Sequence, residues 1–205
     1  MKVLLINGSP HEKGCTYTAL SLIAGELKAQ GIETEILHVG GQPVGGCIGC
    51  GGCRSGNGCV FGGVVNEAIE KAKTADAFVF GSPVHYASAA GNMASFMDRL
   101  AYAGGKYLAY KPAAICCSAR RAGTTSTLDQ LVKYPQFFHM PLVNGSYWAM
   151  VHGSNPEQVL QDAEGCAVMQ ELGRNMAWLL RCIEAGKAAG IDHPQNPPRP
   201  MTSLD

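Results

Sequence analysis

The chain is 205 residues long, with 16 Lys and Arg set against 16 Asp and Glu and no basic block. That length suits one domain able to bury most of its unfolded surface, and a neutral chain without a basic stripe argues against a nucleic-acid partner. No apolar run approaches the roughly 18 residues of a membrane span.

The opening MKVLLINGSP has too short an apolar core for a signal peptide and reads as a strand running into a turn. Nine cysteines in such a chain point to a reducing, cytoplasmic compartment, where thiols serve metals or catalysis more often than disulfides. Residues 2–7 (KVLLIN) form a continuous apolar run, as expected of a strand buried on both faces. Residues 16–30 follow as a helix, with Leu20, Ile23, Ala24 and Leu27 at helical spacing and Gly31 as the stop. A second strand is predicted over 33–38, before a stretch rich in Gly and Cys. A helix over 64–73, a strand over 77–81 (AFVFG) and a helix over 91–102 come next. The remainder reads as a strand over 113–117, a short helix over 126–133, a fifth strand over 141–144 and a long helix over 156–188, interrupted near Gly165. Residues 189–205, with Pro194, Pro197, Pro198 and Pro200, are expected to form an extended arm after one domain spanning 1–188.

Strands alternating with helices give an α/β class: a five-stranded parallel sheet covered on both faces, a three-layer sandwich. In that architecture ligands sit beyond the carboxyl ends of the strands, where strand order reverses. The loops there are therefore informative. After the first strand, residues 7–16 form a Gly/Ser/Thr loop opening a helix, a source of N–H groups and hydroxyls for an anion. It carries neither a Walker sequence nor G-x-G-x-x-G, which favours a single phosphate; an ordinary capped turn is the plainer reading. After the third strand, Gly81-Ser-Pro-Val-His-Tyr86 offers a Pro-fixed turn and a flat aromatic. After the fourth, residues 118–125 supply Arg120, Arg121, hydroxyls and Gly123, able to hold a phosphate or an anionic ring, or simply to lie in solvent. Asp98 and Arg99 read as a helix-end pair or an interface pair.

Together these motifs resemble the flavodoxin-like, NAD(P)H-dependent FMN oxidoreductases, in particular the iron–sulfur flavoproteins. The matching residues are Asn7-Gly-Ser-Pro10, Gly-Cys-Thr16, Cys-Ile-Gly-Cys-x-x-Cys, Gly81-Ser-Pro-Val-x-Tyr86, Asp98-Arg99, and Gly145-Ser-Tyr-Trp with His152 and Asp162-x-Glu-Gly165. The resemblance implies a flavodoxin-like sheet of order 2-1-3-4-5 and a homodimer or homotetramer with FMN near subunit interfaces. It implies a phosphate site lined by Ser9, Pro10, Cys15 and Thr16, with Cys15 where relatives often carry Asn. Ser82, Pro83, Val84, His85 and Tyr86 would flank the isoalloxazine, and Ser118, Arg120 and Gly123 would close the far side.

The run C-x2-C-x2-C-x5-C comprises Cys47, Cys50, Cys53 and Cys59. Thiols two residues apart can converge on one centre, and intervening glycines let the backbone curl and donate to sulfur. The spacing suits a [4Fe–4S] cluster and matches the iron–sulfur flavoproteins. Zinc is an alternative, as is a bare loop with reactive thiols, since many related FMN reductases carry a similar run without a cluster. Cys116, Cys117, Cys166 and Cys182 read as core filler.

The expected activity is that of an FMN-dependent oxidoreductase taking hydride from NAD(P)H and passing it to a small acceptor of quinone, nitro, azo or free-flavin type. No side chain is assigned as general acid or base. The alternative is an iron–sulfur flavoprotein electron carrier that accepts single electrons from a ferredoxin-like donor. A third reading is a non-redox zinc binder on the same fold.

Overall fold

The computed structural model describes residues 1–198, 200 and 202. Its strands are β1 (Lys2–Asn7), β2 (Glu33–His38), β3 (Ala77–His85), β4 (Ser88–Ala89), β5 (Ala113–Ala119) and β6 (Met150–His152). Its helices are α1 (Cys15–Ala29), α2 (Val64–Thr74), α3 (Gly91–Gly104), α4 (Thr124–Phe137), α5 (Pro156–Gln161) and α6 (Ala163–Ala188). The sheet runs β2-β1-β3-β5-β6 with all neighbours parallel, and β4 folds back antiparallel on the end of β3. Setting the small β4 aside, this is the 2-1-3-4-5 order of the flavodoxin-like fold.

Alternation along the strands divides the core. Val3 and Leu5 of β1 face a layer built from α1 and α6, with Leu20, Ile23, Leu27, Met169, Leu172 and Met176. Leu4 and Ile6 face the opposite layer, where Phe78, Phe80, Met93, Phe96 and Leu100 pack among α2, α3 and α4. Successive side chains of a strand point to opposite faces, so a run that is apolar without a break must be covered twice. On the outer side of the sheet, β2 is tied down by charge. Glu35 takes Lys2 at 2.7 Å and Lys71 at 2.6 Å, and Lys2 also reaches Glu33 at 3.5 Å.

Among the differences from the sequence reading, three concern the sheet and its last helix, while the helix read over 126–133 runs longer, from Thr124 to Phe137. Residues 141–144 are not a strand: only Leu142 bridges to Ala113, and the fifth position is completed by β6 against Cys117–Ala119. Pro141 brings no N–H, and residues 144–148 swing out of the sheet before the chain returns. β3 continues past Gly81 to His85, because β4 gives its last residues a hairpin partner. The long C-terminal helix breaks at Asp162 rather than Gly165; the Asp162 carboxylate accepts from Gly165 N–H at 3.0 Å and starts α6. Of the expected arm, residues 191–198 contain no helix or strand, and Arg199, Met201 and 203–205 lie outside the described residues. His193 stacks on Tyr110 with ring centroids 4.4 Å apart. No described helix is long and apolar enough to cross a membrane.

Candidate functional site at the carboxyl edge of the sheet

β1 and β3 are neighbours whose following connections diverge, to β2 on one side and β5 on the other, so a crevice opens above their carboxyl ends. The loop from β1 into α1 lies on that crevice. Asn7, fully buried, accepts from Ser9 N–H through Oδ1 at 3.1 Å and donates through Nδ2 to Glu12 O at 3.0 Å, so one side chain shapes the whole turn. Ser9 Oγ accepts from His11 N–H, which leaves its hydroxyl proton to donate. His38, from the end of β2, bonds Ser9 O at 2.8 Å. Helix α1 starts after Gly14, which brings no side chain to the first-turn N–H groups. The positive end of a 15-residue helix therefore faces the loop.

Thr16 and Ser118, 102 residues apart in sequence, meet here with their hydroxyl oxygens 2.8 Å apart, both buried. One hydroxyl donates to the other, and the second keeps its proton for a ligand. Cys15 donates its thiol to Gly153 O at 3.5 Å, and burial pushes that thiol up from its ordinary range, so it is a neutral wall rather than a nucleophile. Thr16 and Ser118 thus form a buried hydroxyl pair, with Cys15 beside Thr16 at the start of α1; Ser9 lies in the loop that leads into that helix, and Pro10 is exposed.

Ser82, Pro83, Val84 and His85 are the last residues of β3, not a loop as the sequence suggested. Ser82 is buried, and its hydroxyl is engaged with Pro83 O and Ala90 N–H, so it braces the turn into α3 and is not free for a ligand. Tyr86 and Ala87 form the hairpin tip in left-handed backbone, φ 50° and 58°. Non-glycine residues hold that conformation only where neighbours impose it. Ser126 Oγ donates to Ala87 O at 2.6 Å, and Gln130 accepts from Ser88 Oγ and Ala89 N–H. Gly123, at φ 92°, lies so close that a Cβ there would come within 2.6 Å of Ala87 Cα. The result is a fixed tip presenting the Tyr86 ring wholly to solvent at the crevice margin. Arg120 and Arg121 are exposed and make no ion pair among the described residues.

The four cysteines occupy an adjoining loop. Cys47, Cys50, Cys53 and Cys59 all line one pocket of about 320 Å³, together with Phe61, Arg99 and Tyr102. Gly49, Gly51, Gly56, Gly58, Gly62 and Gly63 all have positive φ, which lets the chain coil around the pocket. Asn66 holds Cys59 by both backbone groups, at 2.8 and 3.0 Å. Asp98 and Arg99 do not pair. Asp98 accepts the Tyr134 hydroxyl, while Arg99 turns toward the cysteines. Sequence reasoning named Asn7 and Arg99 only within motifs, without these roles, and gave none to His38 or Asn66; the position of Asn7 at a strand end, before Gly and Ser, is a signal of a turn-forming side chain.

Two absent groups can be tested against these residues. For FMN, buried hydroxyls at Ser9, Thr16 and Ser118 beside an uncapped helix start make a phosphate donor set, and the Tyr86 tip supplies a flat wall; the residues fit. For an iron–sulfur cluster, four thiols on one pocket fit as a donor set. Among the described residues, however, no three His, Cys, Asp or Glu side chains converge to metal-site spacing, so in this arrangement the four thiols are not placed to hold a cluster. Cys116 and Cys117 are buried inside β5, with the Cys117 thiol pushed up to about 12 by burial, and take no part.

Comparison with known proteins bears on the family and the fold. The chain is 27% identical over 192 residues to an iron–sulfur flavoprotein of Methanocaldococcus jannaschii, covering 90% of this chain and 100% of that one. It is 22% identical to an iron–sulfur flavoprotein of Methanosarcina thermophila, covering 91% and 99%. A shorter match of 36% identity to one from Archaeoglobus fulgidus covers 48% of each. Among solved structures, RosB with a bound 8-demethyl-8-formylriboflavin-5'-phosphate intermediate superposes with TM-score 0.70 at 14% identity, covering 100% and 96%. The apo NADH:FMN oxidoreductase EMOB gives 0.64 at 16% identity, covering 87% and 89%; both show the same fold. The sequence model described as NADPH-dependent FMN reductase matches residues 1–155, and the chain belongs to that family of flavin oxidoreductases.

Proposed function

We propose that this FMN-dependent oxidoreductase takes hydride from NAD(P)H and reduces a small acceptor of quinone, nitro, azo or free-flavin type. The observation that carries the reading is the buried Thr16–Ser118 hydroxyl pair at the start of α1, where the loop after β1 enters that helix. Ser9, Thr16, Ser118 and first-turn N–H groups of α1 bind the phosphate; the Cys15 thiol packs beside them. Val84, His85 and Tyr86 flank the ring system, with Gly123 fixing their tip and Arg120 offering positive charge at the open side. FMN, when bound, supplies the two-electron and one-electron chemistry. The protein's own part is to bind, orient and shield, and no side chain need move a proton. The same reading has a homodimer or homotetramer in the cytoplasm.

Stoichiometric FMN in the purified protein, and steady NAD(P)H oxidation with one of these acceptors, test the proposal; a chain that binds no FMN refutes it.

A second reading is favoured by the shared pocket of the four cysteines and by the iron–sulfur flavoprotein relatives. Cys47, Cys50, Cys53 and Cys59 would hold a [4Fe–4S] cluster, and the chain would accept single electrons from a ferredoxin-like donor. Iron and acid-labile sulfide at about four per chain, after anaerobic purification, are the expected result.

A further inference from the structure

We propose that the break in the outer strand beside β5 is a binding site for an uncharged aromatic ring bearing a primary or cyclic amide, held by the main chain of Ile115. On its outer side β5 is paired at two places, Ala113 with Leu142 and Cys117 with Met150. A step of four positions along β5 is matched by a step of eight along the outer segment, and the surplus leaves the sheet as the excursion over 144–148. An ordinary bulge absorbs one extra residue; this excursion is too long to stay in the ladder.

The hydrogen bonds along β5 show what the excursion uncovers. Phe78 N–H donates to Pro112 O, so residues 112, 114 and 116 serve β3. Ala113 N–H donates to Pro141 O, Val143 N–H donates to Ala113 O, and Cys117 N–H donates to Ala149 O, so 113 and 117 serve the outer segment. Ile115 lies between them and points the same way, and neither its N–H nor its C=O has a partner among the described residues. The residue is 8% exposed, and a buried main-chain donor and acceptor are costly to leave unpaired.

Ile115 lines an open pocket of about 490 Å³, a size suited to a small molecule. Leu128 and Val132 of α4 give it an apolar wall, and Tyr147 and Trp148, edge to face with ring centroids 4.6 Å apart, give it an aromatic one. None of the residues assigned to FMN lines it. The N–H and C=O of one extended residue point the same way, so their complement carries an acceptor and a donor on one edge. A primary carboxamide or a lactam does; a trans peptide bond holds the two on opposite sides. A longer added strand is blocked, because the chain itself pairs with β5 on either side of the gap. Asp129 is the charged group on the lining, exposed and without an ion pair among the described residues, so an anionic ring is disfavoured.

The test follows the Ile115 amide and the Trp148 indole by NMR in the isotope-labelled chain as purified, with isoquinolone, a flat bicyclic lactam, as the probe. Before any probe is added, the Ile115 amide should exchange with solvent at least about tenfold faster than those of Ala114 and Cys116, whose bonds to β3 are intact. Equal protection means that the gap is closed and overturns the proposal. Isoquinolone should shift both signals and slow Ile115 exchange about tenfold. N-methylisoquinolone, which keeps the ring and loses the donor, and naphthoate, which puts a carboxylate in place of the amide, should each bind about tenfold more weakly. Trp148→Ala, a change at an exposed side chain, should weaken isoquinolone to a similar extent. Equal binding of either control, unchanged binding in Trp148→Ala, or no shift at all overturns the proposal. A shift at Trp148 without one at Ile115 also overturns it, leaving an adventitious ring contact only.

Discussion

Replacing Gly123 by Ala separates the crevice geometry from general fold stability. At φ 92° a residue with a Cβ loses about 1–2 kcal/mol to backbone strain. The new Cβ would stand 2.6 Å from Ala87 Cα, 2.8 Å from Val84 Cγ1 and 3.0 Å from Ala87 Cβ. Val84 can turn its side chain away, but the Ala87 backbone cannot, so the tip carrying Tyr86 must move; such overpacking costs about 1–3 kcal/mol. The expected loss is about 2–5 kcal/mol in urea unfolding of the FMN-free protein. Because the tip is one wall of the proposed ring site, FMN affinity measured by fluorescence quenching should also fall at least about tenfold, roughly 1.4 kcal/mol. Gly25 is the control: it is exposed in mid-α1 with open space around its Cβ position, so Gly25→Ala should stabilise the chain by about 0.4–1 kcal/mol and leave FMN binding unchanged. An unaltered FMN affinity in a folded Gly123→Ala protein would refute the argument that the tip and the 120–123 loop are one rigid wall.

Thr16→Val leaves Ser118 buried without its partner and should cost about 1–3 kcal/mol, most of it recovered in Thr16→Val/Ser118→Ala; additive losses in the urea-unfolding cycle would count against the shared hydroxyl pair. Tyr86→Ala removes a fully exposed ring, so its thermal midpoint should match wild type while FMN binding weakens, and equal binding in calorimetry would remove Tyr86 from the site. Glu35 has its carboxyl held below the usual range by hydrogen bonds from Lys2 and Lys71, so its contribution to stability is complete above the unfolded value near about pH 4.3 and disappears as pH falls through the lower folded value. The stability gap between wild type and Glu35→Gln, read from urea midpoints, should therefore be constant from pH 6 to 8, about 1 kcal/mol or less, and close in acid. In the iron-free native chain, iodoacetamide followed by mass spectrometry should label exposed Cys47, Cys50 and Cys182 first and leave buried Cys116 and Cys117 unmodified; early labelling of either β5 thiol would contradict the packing of that strand.

The layers of the fold were legible because β1, β3 and β5 each contain an unbroken apolar run (residues 3–6, 77–80 and 113–117), and α1 and α3 carry apolar residues at helical spacing; burial on two faces leaves that record in sequence. β6 left almost none. Three residues whose partner strand lies more than 30 positions upstream have no local period to read, and the apolar 141–144 run beside them was the better sequence candidate. The hairpin at Tyr86 was hidden for a related reason, since its left-handed residues are Tyr and Ala and the constraint that holds them comes from Ser126 and Gly123. Site residues with short hydroxyl side chains could be placed through their motifs. The direction in which Arg99 points could not, because Asp98 beside it offered an equally good partner in sequence and Tyr134 had already taken that carboxylate.

The charges along β2 bear on how copies of this chain can meet. β2 ends the sheet, so one row of its amide and carbonyl groups faces outward and would accept the matching strand of a second molecule. Glu33 and Glu35 occupy alternate positions on that strand, and a second β2 laid alongside would add its carboxylates to this rim while competing for the lysines that now neutralise them. Continuation of the sheet into a second copy is thereby discouraged at this rim, which a bare apolar edge would have left open.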